Sequence, residues 1–242
     1  MELFPTGPSG PVARLTEVGR TAVTPADLSL LAAVPVRRTD RGPLDASSLP
    51  AGLPFALQQA AQAQGVVLRL LSTTGDRATL ARLVERADRL QAVAGIVQPE
   101  LDTWLRTSPS ARDGVPATSS RGARASYGAE FVQRDFSVPG SVAVHDRPGR
   151  DEPLVGVLCT TRDTPQDWVM AGRGLAAVLL RATVDGAQAC YLNQPVELPA
   201  LRVQLGEQLT LPGPAQLVLR LGVGAPVAVP PRRLDVTTWA TT

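Results

Sequence analysis

The sequence predicts an α+β fold, a central antiparallel or mixed sheet flanked by helices, on three observations. Short apolar runs rich in β-branched residues, VVLRLLS, PLVGVLCTT, AQACYL and AQLVLRLGVG, read as buried strands. Between them lie segments whose apolar residues recur at three- and four-residue spacing, with helix start and stop residues at their ends. The 242 residues, 44% of them apolar, suffice for one large or two small globular domains with a real core.

Residues 1–24 are interrupted by Pro and Gly and read as an extended N-terminal arm suited to drape over another subunit. Residues 25–242 read as one domain. Thr24 as N-cap, Pro25 at the first helical position and Asp27 in the first turn open a helix that Pro35 ends. PFALQQAAQAQ gives a second helix stopped by Gly65, and VVLRLLS the strand after it. From Asp76 to about Thr107, Leu80, Leu83, Val84, Ala87, Leu90 and Val93 mark an amphipathic helix. Gly95 and Pro99 are expected to split it, leaving residues 100–106 as a second piece with Trp104 as a core anchor.

Residues 107–152, rich in Ser, Arg, Gly, Pro and Asp, are longer than an ordinary loop and read as a lid or a disordered insertion. Within them Asp113-Gly114-Val115-Pro116 reads as a turn. Tyr127 and Phe131 suit either stacking on a planar ligand or a small satellite core. The helix DTPQDWVMAGRGLAAVLLRATVDG, with Thr164 as N-cap and Gly186 at its far end, is apolar on nearly every side and is expected to be central. AQACYL then gives a strand, VELPALRVQLGEQL one short helix, and AQLVLRLGVG the last strand.

Composition excludes much chemistry. All 24 basic residues are arginine, so mechanisms needing a lysine Schiff base or a P-loop lysine are ruled out. Anions must meet Arg or backbone N–H groups. A net charge of +2 with acids interspersed disfavours nucleic-acid binding. Cys159 and Cys190 sit in apolar runs and read as inert core thiols. His145 is the one histidine, in a loop-like stretch, and there is no GxSxG, so neither a zinc site nor a serine-hydrolase triad can be written convincingly. No apolar run is long enough to span a membrane and no secretory leader is legible, so a cytoplasmic protein with no membrane partner is expected.

Two arginine clusters stand out: Arg37-Arg38-Thr39-Asp40-Arg41 near the start and Pro230-Pro231-Arg232-Arg233 near the end. Guanidinium groups pair with phosphate in a bidentate, charge-assisted way and a Thr hydroxyl adds a donor. Taken alone, each cluster is weak evidence, since paired arginines at helix ends are most often solvated or salt-bridged.

The order RRTDRGPLD, an Ala-rich helix, ADRLQ, PELDTW, DGVP, DWVMAGRGLAAVLLRAT, YLNQPVE, LRVQLG and VPPRR resembles the flavin-dependent nitroreductase superfamily over roughly residues 27–236. It is most similar to the second half of the actinobacterial dormancy-associated Acg-type branch. The resemblance implies a nitroreductase-like sandwich that binds FMN and takes electrons from NAD(P)H to reduce nitro, quinone or related conjugated acceptors. It assigns Arg37, Arg38 and Thr39 to the phosphate and ribityl end of the flavin. Arg41 falls to the N1/O2 edge of the ring, Asn193 and Gln194 to the neighbourhood of N5, and Arg232 and Arg233 to the phosphate.

Acg-type proteins resemble two fused nitroreductase halves, whereas this chain resembles one half plus a lead-in. The resemblance therefore implies a homodimer, pairing with another nitroreductase-like half, or a chain that has lost flavin. A catalytically inactive protein of the same fold that sequesters flavin or scaffolds a partner is the alternative function.

Overall fold

Three helices begin at threonines, for one reason. In the computed structural model, which describes residues 1–95, 97–106, 108, 111, 113–116, 130–134 and 151–224, these are α1 (Pro25–Ala33), α3 (Thr74–Ala94) and α5 (Pro165–Val184). The hydroxyls of Thr24, Thr73 and Thr164 accept the amides of Asp27, Asp76 and Asp167. In α1 and α5 the aspartate also accepts the cap's own N–H, completing a capping box. Each such cap contributes about 1 kcal/mol.

Helix α2 (Leu53–Gln62) lacks a side-chain cap and is stopped at Gly65, whose φ is 75°. Gly95, at φ 64°, alone ends α3. Pro99 does not break the chain there, contrary to expectation. It sits in the first turn of α4 (Val97–Trp104), where a missing N–H has no intrahelical partner to lose. The expected single helix after AQACYL is two, α6 (Gln194–Glu197) and α7 (Pro199–Gln208). Leu198, before Pro199, takes the extended conformation (φ −108°, ψ 109°) that a following proline imposes.

Strands β3 (Val67–Leu70), β6 (Leu154–Cys159), β8 (Ala215–Gly222) and β7 (Gln188–Tyr191) form one sheet in the order β3-β6-β8-β7. Every neighbouring pair is antiparallel, which settles the sheet as antiparallel rather than mixed. Alternation along the strands sends side chains to two cores. Val155, Val157 and Val218 pack with Leu80, Leu83 and Val84 of α3 and Leu201 and Leu205 of α7. Leu158, Leu219 and Leu221 pack with Leu57 of α2 and Val178 and Ala182 of α5. Helices thus cover both faces of the sheet, an α+β architecture.

Helix α5 is not buried all round. Ala171, Gly174, Val178, Leu179 and Ala182 face the core, while Trp168 is 54% exposed and Gly172, Arg173 and Ala176 face outward. The core face meets α2 and the sheet; α1 also packs against α5 but leaves these outward residues exposed. Gly174 lets that face approach closely, since a Cβ there would fall 2.2 Å from Val66 Cγ2.

Trp104 is not a core anchor either. It is 49% exposed, with the Arg106 guanidinium 5.9 Å from its ring centroid. The reason is the short pairing that follows α4: β4 (Leu105–Arg106) runs parallel to β5 (Val115–Pro116), and Arg106 grips Asp113 with two bonds of 3.0 Å. Asp113-Gly114 makes the expected turn, with Gly114 at φ 70° against the Trp104 carbonyl.

Near the N-terminus, β1 (Glu2–Leu3) and β2 (Ala13–Arg14) pair as a small hairpin, so the first half of the expected arm is folded back rather than extended. The turn uses positive φ at Phe4 and Gly7. Residues 15–24 are exposed and belong to no element. Phe131 is buried among Leu80, Leu83 and Val84, the core option of the two open to it. Tyr127, His145 and most of the lid-like region lie outside the described residues. Among the described residues no helix is long and apolar enough to cross a membrane.

Candidate functional site

The candidate site grows from the free edge of β7. After α1 the chain turns, with the Arg37 amide bonded to the Ala33 carbonyl at 2.9 Å, and comes alongside that strand. Thr39 forms a parallel bridge with Ala189, and the Asp40 amide donates to the Ala189 carbonyl at 3.0 Å. An edge strand offers unpaired backbone groups, and this segment occupies them. The arginine-rich segment is thereby fixed against the sheet.

Tyr191, two residues on from Ala189, is what the arginines gather around. Burial raises the Tyr191 phenol above its ordinary pKa, Cys190 adds to that, and Arg37, a hydrogen bond with Thr39 and Arg41 pull it back down. The phenol therefore stays neutral at pH 7 and keeps its O–H. Burial also lowers the pKa of Arg41, against the opposing influence of Cys190, Tyr191 and Asp40. An arginine remains charged all the same. Arg37, Arg38, Thr39 and Arg41 are half-buried, and Asp40 is buried with its Oδ1 accepting the Gly42 amide at 2.9 Å.

The far end of the segment is sewn to β6 and β8. Leu44 is fully buried, and its amide donates to Asp151 Oδ1 at 3.0 Å. Asp45 and Val223 exchange amide-to-carbonyl bonds of 3.0 and 2.7 Å, and the Ala46 amide reaches the Glu152 carbonyl. Gly222 is required here, because a Cβ would fall 2.8 Å from the Asp45 nitrogen. Arg220 of β8 donates to the Gly42 carbonyl at 2.9 Å and the Arg41 carbonyl at 3.3 Å.

The structure thus brings Arg37, Thr39 and Arg41 together at one place, with Arg38 between them in the chain. Asn193 and Gln194 follow Tyr191 but have side chains committed to the fold. Asn193 Oδ1 accepts the Val218 amide at 2.9 Å. Gln194 is 3% exposed, reaches the Val132 carbonyl at 3.5 Å and hydrogen-bonds Asp88. Only their backbone could serve a ligand. Arg232 and Arg233 lie outside the described residues; the chain leaves β8 at Gly224 beside Asp40 and Leu44.

Sequence reasoning missed Tyr191, Asp151 and Arg220. Tyr191 was visible as the lone aromatic of AQACYL, and Arg220 as a charge inside the apolar run LVLRLG. Asp151 carried no signal, since it closes a stretch already full of charge. Cys159 and Cys190 are free and buried, and burial pushes the Cys159 thiol up to about 12, so it is no nucleophile at neutral pH.

Chemically, this is a place where several cations and a neutral hydroxyl meet beside a strand edge. It suits an anionic ligand with a polar stem.

No family model matches the chain. A protein of Mycobacterium tuberculosis named "Putative NAD(P)H nitroreductase Rv3131" is 32% identical over 222 residues, 90% of this chain. The match covers 62% of that relative, so the chain spans under two thirds of its length. A nitroreductase with bound FMN from Desulfitobacterium hafniense superposes with a TM-score of 0.52 at 13% identity, covering 86% of this chain and 94% of the other. A nitroreductase-like protein from Bacillus cereus gives 0.50 at 13% identity, over 91% and 97%. The fold is therefore that of the nitroreductases. In sequence the chain is similar to the mycobacterial protein, and in fold it is nitroreductase-like.

Proposed function

We propose that this chain is an FMN-binding, NAD(P)H-dependent oxidoreductase unit that reduces nitro, quinone or related conjugated acceptors. The observation that carries the reading is the docking of the 37–41 segment on β7, which gathers Arg37, Thr39 and Arg41 around Tyr191. Three arginines against one aspartate in that segment suit a dianionic phosphate. The name of the mycobacterial relative and the FMN in the Desulfitobacterium structure support the same assignment.

FMN, when bound, supplies the hydride-accepting and hydride-donating ring that no side chain here provides. Arg37, Arg38 and Thr39, with Arg232 and Arg233 from the C-terminal segment, would hold the phosphate and ribityl end. Arg41 would face the N1/O2 edge, where a cation favours the reduced ring. Backbone groups of Asn193 and Gln194 would lie near N5. Hydride transfer needs positioning rather than an acid–base triad, so a protein with one histidine, two buried cysteines and no lysine suits it.

Absorbance and FMN titration test this directly. Purified protein is expected to be yellow, and Arg37→Gln to weaken FMN about tenfold while leaving riboflavin, which lacks the phosphate, nearly unaffected. Colourless protein that ignores added FMN sinks the assignment.

In this reading a second copy of the chain or another nitroreductase-like half would complete the site. The rival reading is a flavin-sequestering or partner-scaffolding protein of the same fold without turnover. Anaerobic mixing with NADH or NADPH separates them, since only the oxidoreductase bleaches its flavin.

A further inference from the structure

Arg220 is a charged residue in the middle of the central strand β8 and is 1% exposed. A buried guanidinium is costly unless paired and hydrogen-bonded. Its Nη1 donates to Asp151 Oδ1 at 3.0 Å, and its Nη2 donates to the Gly42 and Arg41 carbonyls at 2.9 and 3.3 Å. The same Asp151 oxygen accepts the Leu44 amide. One ion pair therefore grips three points of backbone between residues 41 and 44.

Apolar residues of similar volume stabilise an interior as well as a buried ion pair does. The fold alone does not call for a guanidinium at this position. What the guanidinium adds is direction: with Nη1 anchored on Asp151, the Nη2 of the same rigid plane donates to two consecutive carbonyls and fixes the peptide planes on both sides of Gly42. The root of the Arg41 side chain is fixed with them.

We propose that Arg220, with Asp151 as its counter-ion, is a positioning residue that aims the Arg41 guanidinium at the flavin ring. The proposal rests on the reading of Arg41 given above. A well-aimed cation at the N1/O2 edge stabilises the reduced, more negative ring over the oxidised one, so its signature is the midpoint potential of bound FMN.

Arg41→Gln sets the scale and is expected to lower the potential by about 30 mV, roughly a tenfold change in the relative affinity for the two oxidation states. Arg220→Lys keeps the positive charge but has a single nitrogen, so it cannot hold Asp151 and the two carbonyls in the same planar arrangement. It is expected to retain FMN and to lower the potential by about 15 mV, roughly threefold. Asp151→Asn is expected to shift it the same way, and decides the matter if the Arg220→Lys protein does not fold. A merely structural role would lower the melting temperature and leave the potential of the bound flavin at its wild-type value.

An unchanged potential in folded, FMN-loaded Arg220→Lys, with Arg41→Gln shifted, overturns the positioning role and leaves the proposed function standing. An unchanged potential in Arg41→Gln removes the target of the positioning and overturns it too. Wild-type protein that takes up no FMN overturns the flavin reading itself.

Discussion

The β6–β8 pair carries an arginine network at each of its ends, and the two are built differently. Where Cys159 faces Ala215, Asp163 takes both terminal nitrogens of Arg202 at 2.7 and 3.0 Å, the Trp168 indole at 2.7 Å and the Gln216 amide at 3.1 Å. Arg202, Trp168 and Gln216 together hold the Asp163 carboxyl well below its ordinary range. Where Leu154 faces Leu221, Arg220 and Asp151 pair with each other and hand their remaining bonds to the 41–44 backbone. The segment that runs into this loop, residues 37–41, contains three arginines and one aspartate. One network closes on itself and ties α5, α7 and β8 together. The other supports a segment whose positive charge exceeds its own negative charge, which is what an anion site needs.

The comparison breaks most visibly at Arg220. Replacing it with Met leaves Asp151 facing an uncompensated interior and is expected to lower unfolding stability by about 3 kcal/mol, read by urea denaturation. Restoring an apolar partner with Asp151→Leu in the same chain is expected to recover most of that stability but not FMN binding. Recovery of both would show that the loop needs no polar support.

Asp163→Asn acts at the closed network and should be milder. Asp163 is 40% exposed, so solvent screens its pairing with Arg202 and the expected loss is about 1 kcal/mol at pH 7. Its folded pKa is depressed, so its contribution is complete above the ordinary value of 3.8 and fades as pH falls below it. Wild type and variant should therefore converge in acid, and FMN affinity should be the same in both. A variant that loses flavin would show that the two ends are coupled.

The smallest effect is expected at Asp88. Burial raises its carboxyl above the ordinary value, with Arg134 and the Gln194 hydrogen bond opposing. A raised acid weakens the fold above its folded pKa, and the penalty disappears as pH falls through that value. Asp88→Asn should therefore melt slightly higher than wild type at pH 7 and no higher near pH 4. Arg134 and Glu197 pair close by, with Gln91 bonded to both, so a drop at pH 7 would mean that Asp88 is part of that network instead.

Local signals written in the sequence survived into the structure. Thr24 and Thr164 cap their helices, Gly65 and Gly95 stop theirs, and the four apolar runs are the four strands of the sheet. These depend on neighbours within a turn or two, so the residues involved are adjacent on the page. Trp104 and the outer face of α5 went the other way, because burial depends on which element lies above and spacing along one helix cannot say so.

The candidate site divides along the same line. By itself the sequence determined that an anion here must meet arginine or backbone N–H groups, that the cysteines lie in the core, and that Arg37-Arg38-Thr39-Asp40-Arg41 is the segment to watch. Tertiary structure alone decided that this segment lies on β7 next to Tyr191, and that Arg220 holds it from a strand far along the chain. Hydrogen bonds between residues 179 positions apart leave no local pattern, since they form only when the sheet has set the distance between them.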